Sequence, residues 1–231
     1  SRLGGAKVVW IPDAAQLTDA AANALLKTLE EPPAQTWFFL ASTEPARLLA
    51  TLRSRCRLHH LAPPPESYAI SWLAREVTAS SEALLSALRL SAGSPGAALT
   101  LLQAESWAHR TDFCAALVNT LNAGDWYILL AALNHDQAAA RLHWLATLFT
   151  DALKRPYGIA HLTNPDALDL ISSIAERLSV AQIQAILGDV CHCRQQLLNV
   201  TGVNRELVLT DLILRIEHYL QPGTVLPVPH L

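Results

Sequence analysis

The sequence predicts a mainly α-helical chain with a small α/β part confined to its first 62 residues. Leu (42) and Ala (37) supply about a third of the 231 residues, while Val (11), Ile (10) and Phe (4) are sparse. The first pair favours helices and the second group strands. The two apolar runs of strand length both fall early. After them Pro63-Pro64-Pro65 forms a stiff connector, and helical periodicity follows to the end.

Lys7-Val8-Val9-Trp10-Ile11, closed by Pro12, is the first run, and Thr36-Trp37-Phe38-Phe39-Leu40-Ala41 is the second. Both are continuously apolar, the pattern of strands covered on both faces in a parallel sheet. Between them Asp19 to Glu30 reads as a helix with Leu25, Leu26 and Leu29 on its apolar stripe. Pro32 and Pro33 stop it, because proline cannot continue the backbone ladder. Strand, helix, strand is a crossover unit of an α/β domain. Two strands alone leave an open edge, so further strands are expected upstream of Ser1. Past the proline triplet, helices are expected at 66–78, 81–91 and 95–104, the third entered through Gly93-Ser94. Longer ones follow at 106–121, 125–133, 136–155, 165–177, 180–198 and 204–220. Ser179 and Gln182 form an S-x-x-Q capping box, with Leu178 and Ile183 at the staple positions.

A net charge of −3 excludes a chain that holds nucleic acid by bulk charge, though not one with a local basic patch. Of 17 basic residues 14 are Arg, the side chain suited to bidentate contacts. No apolar run approaches the ~20 residues of a membrane span, and nothing resembles a signal peptide. The four cysteines (56, 114, 191 and 193) contain no C-x-x-C pair. Together these features read as a cytoplasmic protein in a reducing compartment. Cys191-His192-Cys193 would diverge on a helix and is not expected to hold a metal. The start at Ser1 and the lack of Met suggest that an N-terminal part precedes this chain.

Leu25-Leu26-Lys27-Thr28-Leu29-Glu30-Glu31-Pro32-Pro33 is a string of high specificity. Leu40-Ala41-Ser42-Thr43-Glu44-Pro45 and Leu52-Arg53-Ser54-Arg55-Cys56 follow it in order. This set resembles the AAA+ subunits of bacterial DNA polymerase III clamp loaders, over essentially the whole chain. The resemblance implies that 1–62 is the C-terminal part of an AAA+ P-loop-type domain. It makes 63–104 a three-helix lid and 105–231 an all-α collar used in oligomerisation. A P-loop and, in many delta prime chains, a cysteine zinc module would lie upstream, outside this sequence.

Within that family three positions distinguish hydrolysing from non-hydrolysing subunits. The ATPases end the Walker B strand with Asp-Glu, which serve Mg²⁺ and the attacking water; the matching pair here is Pro12-Asp13. They carry Arg in the lid motif Gly-Ser-x-Arg, where this chain has Gly93-Ser94-Pro95-Gly96. Arg55 in Ser54-Arg55-Cys56 is intact, and the family presents that Arg to a neighbouring subunit's nucleotide. The resemblance therefore implies a stator-like subunit of the delta prime kind, with no ATPase activity of its own. Arg55 would be its arginine finger in trans, with Ser54 and Cys56 in support. No cofactor or metal is expected in this chain, ATP and Mg²⁺ lying at a neighbour. The implied partners are gamma/tau and delta subunits through the collar and the AAA+ edge. The sliding clamp and primer-template DNA are reached through the complex. The alternatives are an ATP-hydrolysing gamma/tau-type subunit and a helical adaptor with a decayed AAA+ remnant. Read without the family, Arg47, Arg53, Arg55 and Arg57 could be a solvated basic face. Asp13 reads as a strand-end turn residue. Glu30 and Glu31 read as structural, since adjacent acids at a helix end point apart.

Overall fold

The computed structural model describes residues 5–227, apart from the Ala104 side chain. The chain divides into two compact units between Ala62 and Pro63.

In the first unit β1 (Lys7–Ile11) and β2 (Thr36–Leu40) pair in parallel, with Val9 opposite Phe38. The connection contains α1 (Asp19–Glu30), opened by the Thr18 hydroxyl, which accepts from the Ala21 N–H at 3.2 Å. The helix ends where the prolines require: the Glu31 N–H donates to Lys27 O at 3.1 Å, and Pro32 supplies no further donor. A four-residue helix, α2 (Ala50–Arg53), follows β2 and buries Leu52.

The second unit begins with α3 (Glu66–Glu76), α4 (Ser81–Leu90) and α5 (Pro95–Leu102), packed around Leu73, Leu84, Leu88 and Ala98. Six helices complete it: α6 (Ala104–Ala123), α7 (Tyr127–Leu133), α8 (Ala138–Lys154), α9 (Leu168–Arg177), α10 (Val180–Asn199) and α11 (Arg205–Leu220). Their core includes Phe113, Leu145, Phe149, Ile186 and Ile213. Helix ends are closed by distant side chains. Glu217 on α11 accepts from the Trp126 N–H at 2.8 Å and so caps α7. Arg177 at the end of α9 donates to Leu121 O and, at 2.8 Å, to Asn122 Oδ1, placing a cation on the C-terminal carbonyls of α6.

A buried polar cluster joins α4, α6, α8 and the turn before α9. Arg110 donates to Asp166 Oδ2 at 2.5 Å, and to Asp166 Oδ1 at 3.1 Å and Asn164 Oδ1 at 2.8 Å. The Ser86 hydroxyl donates to the same Asp166. Asp151 accepts from the Thr163 and Asn164 N–H groups and from Lys154. The Arg110 guanidinium also lies 4.7 Å from the Trp107 ring centroid.

Most elements lie where the periodicity puts them, and the capping box forms: the Gln182 N–H reaches Ser179 Oγ and the Ser179 N–H reaches Gln182 Oε1. Three expectations need correction. Among the described residues the sheet is not covered on both faces, since Val8, Trp10, Trp37 and Phe39 share one face and are each more than half exposed. Two strands are too narrow to be sandwiched by the described residues. The helix expected from 165 begins as a 3₁₀ turn, Pro165–Ala167, because Asn164 and Asp166 are drawn into the Arg110 cluster. The helix expected over 95–104 stops at Leu102, and Gln103 separates it from α6.

Candidate functional site

The Ser54-Arg55-Cys56 triplet leaves α2 in a tight turn. Ser54 caps the helix, its N–H on Ala50 O at 2.9 Å and its hydroxyl on Thr51 O at 3.0 Å. The buried Leu52 fixes this turn from one side, and the Arg55 N–H returns to Leu52 O at 3.1 Å. Cys56 is half-buried, and burial pushes its thiol pKa up. A thiol held protonated in this way is not an activated nucleophile.

The Arg55 side chain is held at two places. Its η1 nitrogen donates to Thr51 O at 3.0 Å and reaches Ser54 Oγ at 3.4 Å. Its Nε donates to Glu30 Oε1 at 2.6 Å, and η2 contacts the same oxygen. The side chain keeps 33% of its exposure. Glu30, the last residue of α1, thus joins Arg55 across 25 positions of sequence. The local sequence around Glu30 marks it only as a structural acid; nothing there names its partner.

The basic run as a whole is not four free charges. Arg47 pairs with Glu44 at 3.3 Å, and Arg53 donates to Pro45 O at 3.4 Å. Arg57, His59 and His60 are exposed. At the end of β1, both Asp13 oxygens are occupied, Oδ1 by the Ala15 N–H at 3.1 Å and Oδ2 by Gln16 Nε2 at 2.9 Å. This is the geometry of a strand-end turn. Pro12 beside it has no side-chain group to coordinate a metal. Among the described residues no cluster of three or more His, Cys, Asp or Glu side chains is arranged to hold a metal ion. Cys191 is exposed while Cys193 is buried, so that pair diverges.

Comparison with known proteins assigns the family. The chain is 71% identical, over all of its length and 69% of the relative's, to a protein named DNA polymerase III subunit delta' from Escherichia coli. It belongs to the DNA polymerase III delta prime family. A protein of the same name from Yersinia pestis is 48% identical over 99% of this chain and 69% of the relative. Family models agree along the chain. Residues 1–65 match the one described as DNA polymerase III, delta subunit, and 104–218 its C-terminal counterpart. Residues 64–103 match the AAA+ ATPase lid domain of DNA polymerase III subunit delta'. A shorter stretch of 58 residues, 25% of this chain and 9% of the relative, is 50% identical to DNA polymerase III subunit tau of Salmonella typhimurium.

The lid of this delta prime chain shows what its two motif glycines do. Gly93 has φ +81°, and an added Cβ would lie 3.0 Å from Pro63 Cβ, so that position is bound to glycine by conformation and by space. Gly96 has no positive φ, and a Cβ there would meet nothing within 4 Å. Its backbone does not require glycine; what it lacks is a charged side chain at the start of α5.

Proposed function

We propose that this delta prime chain serves a bacterial clamp loader as a subunit that does not itself hydrolyse ATP. It lends Arg55 in trans to the nucleotide of a neighbouring gamma/tau-type subunit. The observation that carries this reading is the Arg55 guanidinium: anchored, partly exposed, and with one terminal donor to spare. A guanidinium has five N–H donors in a planar fork that matches phosphate oxygens. Charge developing on the transferred phosphoryl group is what such a donor stabilises. Pro12 and Gly96 support the other half of the reading. Where a hydrolysing relative needs a carboxylate and a cation, these residues offer neither. ATP and Mg²⁺ would be held by the neighbour, and α6–α11 would pack beside equivalent helices of partner subunits. The DNA-linked task would then need no basic surface here, in keeping with the net charge of −3.

The test is Arg55→Ala in the reconstituted complex. Assembly should be unchanged and DNA-stimulated ATP hydrolysis reduced, while the isolated wild-type chain turns over no ATP. A complex with Arg55→Ala that hydrolyses ATP and loads clamps at the wild-type rate would overturn the finger assignment. Turnover by the isolated chain would overturn the non-hydrolysing one.

A further inference from the structure

We propose that Glu30 is the positioning residue of Arg55: it fixes the guanidinium by its Nε edge and so aims the remaining η2 donor at a neighbour's phosphate. The inference rests on Arg55 being the finger. It begins with an oddity in the helix. Glu30 and Glu31 lie at the C-terminal end of α1, where the dipole and the unpaired carbonyls disfavour negative charge. A carboxylate there needs a cation, and Lys27 does not take that role: the hydrogen-bonded partner of Glu30 is Arg55.

The geometry of that pair is that of an aimed side chain. Glu30 Oε1 accepts from Nε at 2.6 Å and contacts η2, while η1 is tied to Thr51 O at 3.0 Å. Opposite parts of the guanidinium are therefore held by two different elements, α1 and α2, and its plane is set by both. With the longer contact from η1 to Ser54 Oγ at 3.4 Å counted, four of the five donors are engaged, and the one that remains sits on η2. The prolines after Glu31 contribute as well. By stopping α1 where they do, Pro32 and Pro33 keep the Glu30 carboxylate at the helix end. Both side chains are partly exposed, 33% for Arg55 and 49% for Glu30, so a phosphate can approach and the pair contributes little to folding. Its consequence is on aim. An unanchored Arg spreads over many rotamers, whereas a preorganised donor loses little freedom when the charge it stabilises appears.

The experiment is a double-mutant cycle in the reconstituted clamp-loader complex with the full chain, reading kcat and KM for ATP with primed DNA. Glu30→Ala should slow hydrolysis roughly tenfold at the one nucleotide site that Arg55 serves, lowering the kcat of the complex by that site's share, with KM for ATP and assembly unchanged. Glu30→Gln retains an acceptor for Nε and should fall between Glu30→Ala and wild type. In the Arg55→Ala background neither change should lower kcat further. Wild-type or raised kcat in Glu30→Ala, with Arg55→Ala still impaired, overturns the positioning role and leaves the finger standing. An equal loss from Glu30→Ala with and without Arg55 overturns it too, because the effect then bypasses Arg55. Normal kcat in Arg55→Ala removes the finger itself. Should Glu30→Ala fail to assemble, Glu30→Gln, which preserves size and an acceptor, decides on the same criteria.

Discussion

Arg110→Ala tests the energetics of the buried cluster in the second unit. The Arg110 side chain is 2% exposed and its Asp166 partner 17%. The substitution removes three hydrogen bonds, strands the Asn164 amide oxygen, and leaves Asp166 with only the Ser86 hydroxyl and its own backbone contacts. Removing one member of a buried pair costs about 3–5 kcal/mol. The retained Ser86 bond and the residual exposure of Asp166 place this case near the lower end, about 3 kcal/mol. For a chain of this size each kcal/mol moves the melting temperature by about 2–4 °C, so a fall of about 6–12 °C is expected. The control is Asp136→Ala in the same unit, which breaks a pair with Arg205 whose members are 94% and 39% exposed. An exposed pair contributes about 1 kcal/mol or less. Thermal unfolding followed by circular dichroism reads both. If Arg110→Ala melted no lower than Asp136→Ala, this cluster would not be what ties the helices together.

Further outcomes follow from single side chains. Glu217→Ala uncovers the Trp126 N–H at the start of α7 and should cost about 1 kcal/mol by urea denaturation. Gly124 ends α6 at φ +69° with free space around it, so Gly124→Ala should cost about 1–2 kcal/mol from backbone conformation alone, read in the same assay. At about pH 8, thiol labelling mapped by mass spectrometry should modify exposed Cys191 and spare Cys193 until the chain unfolds. Burial first, then Asp211 and Asp189, pushes the Cys193 thiol up to about 11. Its contribution to stability is therefore full below 9.0 and lost as pH rises toward about 11. Glu66 shows the opposite sign. Hydrogen bonds from Arg89 hold its carboxyl below the ordinary 4.5, so its contribution is present above that value and is lost as pH falls through the folded-state pKa. Glu66→Gln should flatten that acid limb in melts taken from about pH 6 to about pH 3.

What could be read in the sequence was local. The Pro32-Pro33 stop, the Ser179/Gln182 capping box and the three- and four-residue spacing of Leu209, Leu212, Ile213 and Ile216 each act within a turn or two, and each element appears in place. The short α2 has no side-chain cap and too few residues for a period, so nothing in the sequence marks it. Polar pairings are set by the fold. Arg110 with Asp166, Glu217 with the Trp126 N–H, and Arg55 with Glu30 lie 56, 91 and 25 positions apart. Any acid of the chain would have satisfied composition equally well. The proposed finger, Arg55, was legible only through the family string around it; its anchoring was not.

Single-turnover ATP hydrolysis by the reconstituted complex on primed DNA, wild type against Arg55→Ala, addresses the central claim most directly. Arginine fingers supplied in trans contribute roughly 10³–10⁵ in rate in GTPases. The fast phase should therefore lose the amplitude of one nucleotide site, with the remaining sites unaffected. A fast phase of unchanged amplitude and rate would contradict the finger role of Arg55.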